Sequence, residues 1–369
     1  MKTPYYLISE KKLKDNLKIL NKVKAESGCK ILLAQKCYSI YQTYPLLSSV
    51  LDGTCSSGPF EAELSHKYFG KENHVHKIAF SDDDISKLVD ITDFIVFNSE
   101  NQLSKYAKYF NDKKIGLRIN PEFSTQEKAI YDPSKRFSRM GITEENLKKI
   151  PPSMLDSVSG FHFHTLCEQN SDDLSATLDV FEEKFSKYLW NLEWLNFGGG
   201  HHITRADYDL DLLIDRIKYF SDKYNIQIYL EPGEAVALDA GELVTTVLDI
   251  VQNEKNIAVL DTSAACHMPD VLEMPYRPPL KDSAEVGERE FNYILAGPTC
   301  LAGDIIGEYS FDRELKIGDE LYFQDMAIYT MVKNNTFNGM PLPSIVLQKE
   351  NGEQEVLRKF GYSDFESRL

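Results

Sequence analysis

The feature that most constrains the fold of this 369-residue chain is a regular alternation of short β-forming runs with amphipathic helical stretches. Eight such runs precede residue 236, and each is followed by polar or glycine residues and then by a helical pattern. They cover residues 31–34, a weaker stretch at 51–56, 77–81, 94–98, 115–120, 158–164, 194–197 and 227–230. Eight βα units over about 230 residues predict a (β/α)8 TIM-type barrel, whose active site lies at the carboxyl ends of its strands.

The helical stretches carry apolar residues three or four positions apart, as expected for helices that bury one face. Examples are Leu13, Leu17 and Leu20, and later Leu174, Leu178, Phe181 and Phe185. The main rival is a doubly wound open sheet. It is disfavoured because no Gly-x-Gly-x-x-Gly motif opens a helix after the first strand.

The character of the chain changes after about residue 236. The runs at 243–251, 257–261, 293–296 and 320–331 predict strands with few long helices between them. We therefore predict a barrel domain over residues 10–236 and a C-terminal β domain over 237–369, which the N-terminal residues 1–9 join, an arrangement like that of alanine racemase.

Composition excludes several classes of function. The chain has 41 Lys and Arg against 57 Asp and Glu, and its formal charge of −16 would repel nucleic acid and anionic lipid. No stretch approaches the ~18 apolar residues of a membrane span, and the first residues lack a secretory signal. The six cysteines show no zinc-type spacing. We expect a cytoplasmic protein with no metal, nucleic-acid or membrane partner.

Two predicted strands end in side chains that suit covalent and stacking chemistry. Lys36 follows the first strand, where a desolvated amine can lose its proton and react with a carbonyl. The alternative is a solvated lysine at the barrel rim. The sixth strand ends in His162 and His164, which point to the same side because strand side chains alternate. The imidazole of His164 can stack on a planar ring at the barrel mouth, whereas His162 equally suits a core position.

The next two strand ends offer an anion site and an acid. The seventh strand runs into Gly198, Gly199 and Gly200, which let the backbone approach an anion and donate N–H groups to it, unless the triplet is a bare turn. The eighth strand leads into Glu231 and Glu234. A carboxylate there can pair with a protonated pyridine nitrogen. A surface acidic turn is the alternative, more so for Glu234.

Four strand ends of one predicted barrel thus carry an amine, an imidazole, an anion-binding turn and a carboxylate, the set that a phosphorylated pyridine cofactor requires. The segments that contain them read LLAQKCYS, GFHFHTLCE, NFGGGHHIT and EPGEAV. They resemble the barrel-type (fold type III) pyridoxal-phosphate decarboxylases, the family that includes ornithine, diaminopimelate and carboxynorspermidine decarboxylases. The likeness spans nearly the whole chain, and it is greatest for the carboxynorspermidine and carboxyspermidine branch.

The resemblance implies roles for residues of the barrel. Lys36 would hold pyridoxal 5′-phosphate covalently, and His164 would stack on its ring. The turn at residues 198–200 would bind the phosphate, and Glu231 would pair with the pyridine nitrogen.

The resemblance also assigns residues of the β domain. The segment GPTCLAGD implies a catalytic cysteine, Cys300, which returns a proton to the substrate, and an acidic substrate contact at Asp304. The segment DMAIYTMVKNNTFNG implies that Tyr329 reaches the phosphate. In relatives, the segment DTSAACHMPDVLEMPYRPP holds the far end of the substrate, and its candidates are Glu273, Asp270 and Arg277. Asp304, Glu273, Asp270 and Arg277 could each instead be a solvated residue.

Two departures from the usual pattern are informative. Glu234 stands where relatives that act on ornithine or diaminopimelate have an arginine, and it cannot anchor a phosphate by charge. After His164 the chain reads Thr-Leu-Cys-Glu in place of a Gly-Ser pair. Both differences resemble those of the carboxynorspermidine branch.

We therefore expect removal of CO2 from a carboxylated polyamine, carboxynorspermidine or carboxyspermidine. The resemblance implies a homodimer in which the Cys300 segment of one subunit completes the barrel site of the other. A decarboxylase for diaminopimelate or another basic amino acid is the nearest alternative. An amino-acid racemase and a non-catalytic binding protein are further ones, and the last is disfavoured because Lys36 and Cys300 are both present.

Overall fold

The computed structural model describes all 369 residues and divides them into two units. One unit is Asp15–Val236, and the other joins Met1–Lys14 to Ala237–Leu369. The first contains a closed barrel and the second a mixed sheet, which confirms the predicted fold class. None of the helices combines the length and apolar character needed to cross a membrane.

Eight parallel strands close the barrel in chain order, and the last pairs with the first. Numbered after β1 (Tyr5–Ser9) of the other unit, they are β2 (Lys30–Ala34), β3 (Gly53–Ser56), β4 (Glu72–His76), β5 (Phe94–Phe97), β6 (Lys114–Arg118), β7 (Gly160–His162), β8 (Trp194–Asn196) and β9 (Gln227–Leu230). The helices up to the end of β9 are α1 (Glu10–Ser27), α2 (Tyr44–Leu47), α3 (Pro59–Tyr68), α4 (Asp82–Leu88), α5 (Glu100–Tyr106), α6 (Glu144–Leu147), α7 (Pro152–Leu155), α8 (Ser171–Leu189) and α9 (Leu210–Tyr224), with 3₁₀ turns at Tyr41–Thr43 and Ala107–Tyr109. A short α10 (Glu234–Ala237) follows β9.

One predicted barrel strand was wrong. Residues 77–81 form no strand, and the observed β4 lies just before them. Its sequence, Glu-Asn-His-Val-His, is more polar than is usual for a buried strand, yet Asn73 and His74 are buried. The amide of Asn73 donates to the carbonyl oxygens of Ala62 at 2.9 Å and Ile91 at 2.8 Å. Satisfied hydrogen bonds make such burial tolerable.

Large aromatic residues fill the barrel near the amino ends of its strands. Trp194 on β8 packs with Phe94 and Tyr229 in one buried cluster. A Cβ atom added to Gly116 on β6 or Gly160 on β7 would collide with the indole ring of Trp194. Both positions therefore need glycine, because Trp194 of β8 supplies the side chain that fills the space. The polar side chains of the interior gather towards the carboxyl ends.

The second unit is an eight-stranded mixed sheet in the order β13-β12-β11-β10-β1-β15-β16, with β14 also paired to β10. Its elements are β1, β10 (Gly241–Asn253), β11 (Lys255–Leu260), α11 (Ala264–His267), α12 (Asp270–Glu273), β12 (Phe291–Ala296), β13 (Ile305–Phe311), β14 (Glu320–Phe323), a 3₁₀ turn at Phe337–Gly339, β15 (Ser344–Gln348), β16 (Gln354–Arg358) and α13 (Tyr362–Glu366). The strand predicted over 320–331 stops at Phe323. The backbone then turns, with positive φ angles at Asp325 and Tyr329.

Candidate active site

The best-defined acid of the barrel is Glu231, directly after β9. Asn196, at the end of β8, donates a hydrogen bond from Nδ2 to its Oε1 atom at 2.7 Å. Nε2 of His162, at the end of β7, lies 3.3 Å from Oε2. Burial alone would raise the pKa of Glu231, but the facing His162 and the hydrogen bond from Asn196 outweigh it and lower the pKa to about 2. The carboxylate is therefore ionised at neutral pH.

Asn196 links this acid to the glycine turn. Its Oδ1 atom accepts a hydrogen bond from the N–H of Gly198 at 2.8 Å, while its amide nitrogen holds Glu231. One fully buried amide therefore sets the positions of both groups. The sequence analysis missed Asn196, although a polar residue that ends a buried strand just before the glycines was the available signal.

Beside Glu231, the barrel interior holds a buried arginine and a half-buried histidine that were not predicted from the sequence. Arg118, at the end of β6, is close to His76, with 2.9 Å between NH1 and Nε2. Burial lowers the pKa of Arg118 to about 10, so its guanidinium keeps its charge. Burial and the charge of Arg118 hold the pKa of His76 well below its usual range. The interior therefore offers Glu231 one fixed positive charge.

The imidazole of His164 has a fixed tautomer. Its Nδ1 atom accepts a hydrogen bond from the N–H of Gly199 at 2.8 Å, so the ring proton lies on Nε2. Burial, and then the charge of Lys36, hold the pKa of His164 well below its usual range. A neutral ring in one orientation is what stacking on a planar cofactor requires, although the stacking itself stays a prediction.

The glycine turn contains two backbone conformations that favour glycine over other residues. Gly198 and Gly200 have φ angles of 72° and 84°. The N–H groups of Gly198 and Gly199 are already bound to Asn196 and His164, whereas the N–H of Gly200 has no acceptor in the protein. Phosphate binding by this turn stays a prediction. Of the three glycine N–H groups, the one of Gly200 remains available to donate to a phosphate.

Lys36 lies two residues after β2 with an exposed side chain. Its ammonium makes no hydrogen bond or ion pair within the protein. The backbone before it is held firmly, because the buried Gln35 side chain donates to Ser56 Oγ and to the carbonyl oxygen of Glu61, both at 2.8 Å, and accepts from the Tyr44 hydroxyl at 2.8 Å. The barrel therefore presents a free amine on a fixed support.

Glu234, the departure noted in the sequence, binds a neighbouring histidine. Its Oε2 atom lies 3.0 Å from Nε2 of His202, and Arg205 NH1 lies 3.4 Å from Nδ1 of the same ring. The carboxylate thus has a partner of its own on the loop after β8. This contact explains how the chain accommodates an acid in place of an arginine.

The three candidates of the sheet unit differ in exposure and in backbone conformation. Cys300 is exposed, and its N–H donates to Asn338 Oδ1 at 2.8 Å. Asp304 is buried, with both carboxylate oxygens hydrogen-bonded inside the unit. Tyr329 has a φ angle of 46°, which is uncommon for a residue with a side chain and typical of functional segments.

The three predicted residues for the far end of the substrate already have partners. Asp270 and Glu273 both bind the ammonium of Lys333. Arg277 binds Glu285, and its guanidinium lies 4.7 Å from the centroid of the Tyr309 ring. Asp270 and Glu273 are therefore arranged around an ammonium, whereas Arg277 serves the packing of the sheet.

The barrel residues fit pyridoxal phosphate. An unpaired amine, an ionised carboxylate, a neutral imidazole and an unengaged backbone N–H all follow the carboxyl ends of its strands. In addition, Nδ1 of His162 and the hydroxyl of Thr165 are buried without a hydrogen-bond partner in the protein. Buried polar atoms without partners are rare, and these two are free to contact a bound group. The fold and the site thus define a barrel-type pyridoxal-phosphate enzyme.

Comparison with known proteins narrows this class, because the chain belongs to the pyridoxal-dependent decarboxylase family. The family model described as "Pyridoxal-dependent decarboxylase, C-terminal sheet domain" matches residues 37–327. A carboxynorspermidine/carboxyspermidine decarboxylase of Campylobacter jejuni is 43% identical over 100% of this chain and 98% of its own length. A carboxyaminopropylagmatine decarboxylase of Synechocystis sp. is 38% identical over 100% of this chain and 95% of its own.

A solved structure supports the same assignment. The carboxynorspermidine decarboxylase of Campylobacter jejuni, crystallised with norspermidine, matches with a TM-score of 0.94 and 42% identity over 100% of both chains. A diaminopimelate decarboxylase of Helicobacter pylori has a TM-score of 0.86 at 18% identity, which shows a shared fold. The predicted family is confirmed.

The buried histidines predict loss of stability in mild acid. Burial lowers the pKa of His201 to about 4, against 6.5 for the free side chain, and also lowers the pKa of His76, His162 and His164. Because these folded-state values lie below the unfolded one, their contribution is complete above pH 6.5 and is lost as the pH falls towards 4. For His201 alone it amounts to about 3 kcal/mol. We expect urea midpoints, followed by tryptophan fluorescence, to fall steadily between pH 6.5 and 4.5.

A pair of substitutions checks the cause. His201→Gln should make the pH dependence shallower by about one proton, and replacement of the exposed His66 by Gln should leave it unchanged. A wild-type midpoint that stays constant or rises over this range would contradict the prediction.

Proposed function

We propose that this protein decarboxylates carboxynorspermidine, carboxyspermidine or both, yielding norspermidine or spermidine and CO2. The observation that carries the proposal is the ionised, clamped carboxylate of Glu231 at the same end of the barrel as the unpaired amine of Lys36. The choice of substrate is supported by full-length similarity of 43% to a relative with that activity in its name.

Each residue of the proposed site has its own role in the reaction. Bound pyridoxal phosphate supplies a ring that accepts the electron pair of the breaking Cα–carboxylate bond. Lys36 would hold the cofactor through its side-chain amine. The charge of Glu231 keeps a proton on the pyridine nitrogen. His164 supports one face of the ring, and the N–H of Gly200 donates to the phosphate. The thiol of Cys300 returns a proton to Cα.

Recognition of the substrate rests on the carboxylates of α12. Asp270 and Glu273 bind the Lys333 ammonium together, which supports a geometry suited to an alkyl ammonium. A distal ammonium of the polyamine takes the place of Lys333 between them in this proposal. The net charge of −16 also favours a cationic substrate.

We further propose a cytoplasmic homodimer in which the segment around Cys300 completes the barrel site of the partner subunit. The exposure of Cys300, Leu301 and Ile305 supports an interface at this segment. The six cysteines form no disulfide bonds, which suits a reducing compartment.

A substrate panel tests the proposal. We expect purified holoenzyme to release CO2 from carboxynorspermidine or carboxyspermidine with kcat/KM at least ~100-fold above that for diaminopimelate. Carboxyaminopropylagmatine belongs in the panel because a 38% identical relative carries its name. Faster turnover of that guanidino compound, or of diaminopimelate, would replace the proposed substrate. A D-amino acid product without CO2 would instead establish a racemase.

A further inference from the structure

Asp304 lies at the end of the segment that carries Cys300. We call residues 297–304 the cysteine segment. Only 2% of Asp304 is exposed, and three donors hydrogen-bond to its carboxylate. Ser263 Oγ contacts both oxygens at 3.0 and 2.8 Å, Thr299 Oγ1 donates at 2.6 Å, and the N–H of Ala265 donates at 3.2 Å. A Cβ on Gly297 would collide with this carboxylate, so the segment closes directly on Asp304.

The donors to Asp304 belong to two different parts of the chain. Thr299 is inside the cysteine segment, whereas Ser263 is the N-cap of α11 and accepts the N–H of Cys266 at 3.1 Å. Helix α11 leads into α12, which carries Asp270 and Glu273. Asp304 therefore ties the cysteine segment to the helices that hold the proposed ammonium site.

A third segment, residues 335–338, contacts both the cysteine segment and α11. The N–H of Cys300 donates to Asn338 Oδ1 at 2.8 Å. Asn335 donates from its side chain to Ala265 O at 2.8 Å and from its backbone to Cys266 O at 2.9 Å. Cys300 and α11 thus share partners at residues 335–338. The cysteine is exposed, but the backbone that carries it is held at both ends.

A buried carboxylate is tolerated when hydrogen-bond donors replace its lost hydration, and removal of such a donor costs free energy. Both oxygens of Asp304 already accept hydrogen bonds inside the unit, so its burial does not depend on a substrate ammonium. We infer that Asp304 is a positioning residue, which holds the Cys300 thiol at a fixed place relative to α11 and α12. This inference replaces the substrate contact predicted from the sequence, and it rests on the proposed role of Cys300 as proton donor.

A double-mutant cycle tests the inference on the full-length holoenzyme. Asp304→Ala should lower kcat by about 10²-fold, since a displaced proton donor is a poor one, with KM changed by less than about threefold. In a Cys300→Ala background the same substitution should cost little, because both changes act through one thiol. Equal losses of kcat in both backgrounds, or a rise in KM with kcat unchanged, would overturn it.

Two further variants keep the test decisive. Asp304→Asn retains an acceptor oxygen for Ser263 or Thr299 and should recover part of kcat, and it serves if the alanine variant does not fold. Asp312→Ala removes an exposed carboxylate of the same unit, which binds Arg289, and should behave as wild type.

A readout that does not depend on substrate is hydrogen–deuterium exchange. Loss of Asp304 should speed exchange in the cysteine segment and in residues 263–267 together, while the barrel strand β5 keeps its rate. An unchanged exchange rate in either segment would contradict the proposed positioning role of Asp304. If wild type decarboxylates no compound of the panel, the proposed function fails, yet the exchange experiment still decides the role of Asp304.

Discussion

Replacement of Lys36 by alanine is expected to abolish turnover and covalent capture of pyridoxal phosphate together. The amine has no hydrogen bond or ion pair within the protein, and the buried Gln35 fixes the backbone before it, so Lys36 is available to react with the cofactor. We expect kcat to fall by at least about 10²–10⁴-fold. Borohydride reduction of wild type, followed by peptide mass spectrometry, should find the cofactor attached to the peptide that contains Lys36.

The control is Lys18→Ala, which removes an exposed lysine of α1 that pairs only with Asp15. It should trap the cofactor and turn over like wild type. Lys36→Arg keeps a positive charge but no reactive amine, and it should be as inactive as the alanine variant. A trapped adduct on a different lysine, with turnover retained in Lys36→Ala, would remove Lys36 from the site.

Glu231→Gln is expected to lower kcat by about 10²–10³-fold without unfolding the protein. The amide oxygen of glutamine can still accept from Asn196, so the link to Gly198 is kept and only the charge is lost. A neutral partner no longer favours a proton on the pyridine nitrogen, and the cofactor then accepts electrons poorly. The measurements are kcat, KM and the dissociation constant of pyridoxal phosphate.

The barrel offers a matched control at the other end of its strands. Glu72, at the start of β4, binds Lys30 and lies 3.1 Å from Nε2 of His74. Burial raises its pKa, but these two partners outweigh it and lower the pKa to about 2, the same value as for Glu231. Glu72→Gln should reduce stability and leave kcat of the folded enzyme unchanged. Equal kcat losses in both variants would mean that Glu231 acts through stability alone.

Several parts of the fold and site could be predicted because they depend on local sequence. Seven of the eight predicted barrel runs overlap observed strands. Parallel strands of a barrel are buried on both faces, so their residues are mostly apolar and can be recognised from a short stretch of sequence. The positions of Lys36, His164 and Glu231 followed in the same way, since a residue that ends a barrel strand lies at the active-site end whatever its neighbours are.

Other features could not be predicted, because they depend on contacts between distant parts of the chain. Strand β4 is polar, and its place between β3 and β5 is tolerated because Ala62 and Ile91 offer carbonyl acceptors to the buried Asn73 amide. Lys333 lies about sixty residues from the carboxylates of α12 that it binds, a separation that no local pattern reports.

By itself, the sequence determined the barrel, its cofactor class and the strand-end amine, imidazole and acid, because periodicity and strand position are local properties. The tertiary structure decided what each polar group bonds to. It gave Asn196 its place between Glu231 and Gly198, and it made Asp304 a buried anchor. The physical reason is that hydrogen bonding and burial depend on which side chains the fold brings together, and an aspartate has the same letter in the sequence whether three donors surround its carboxylate or none.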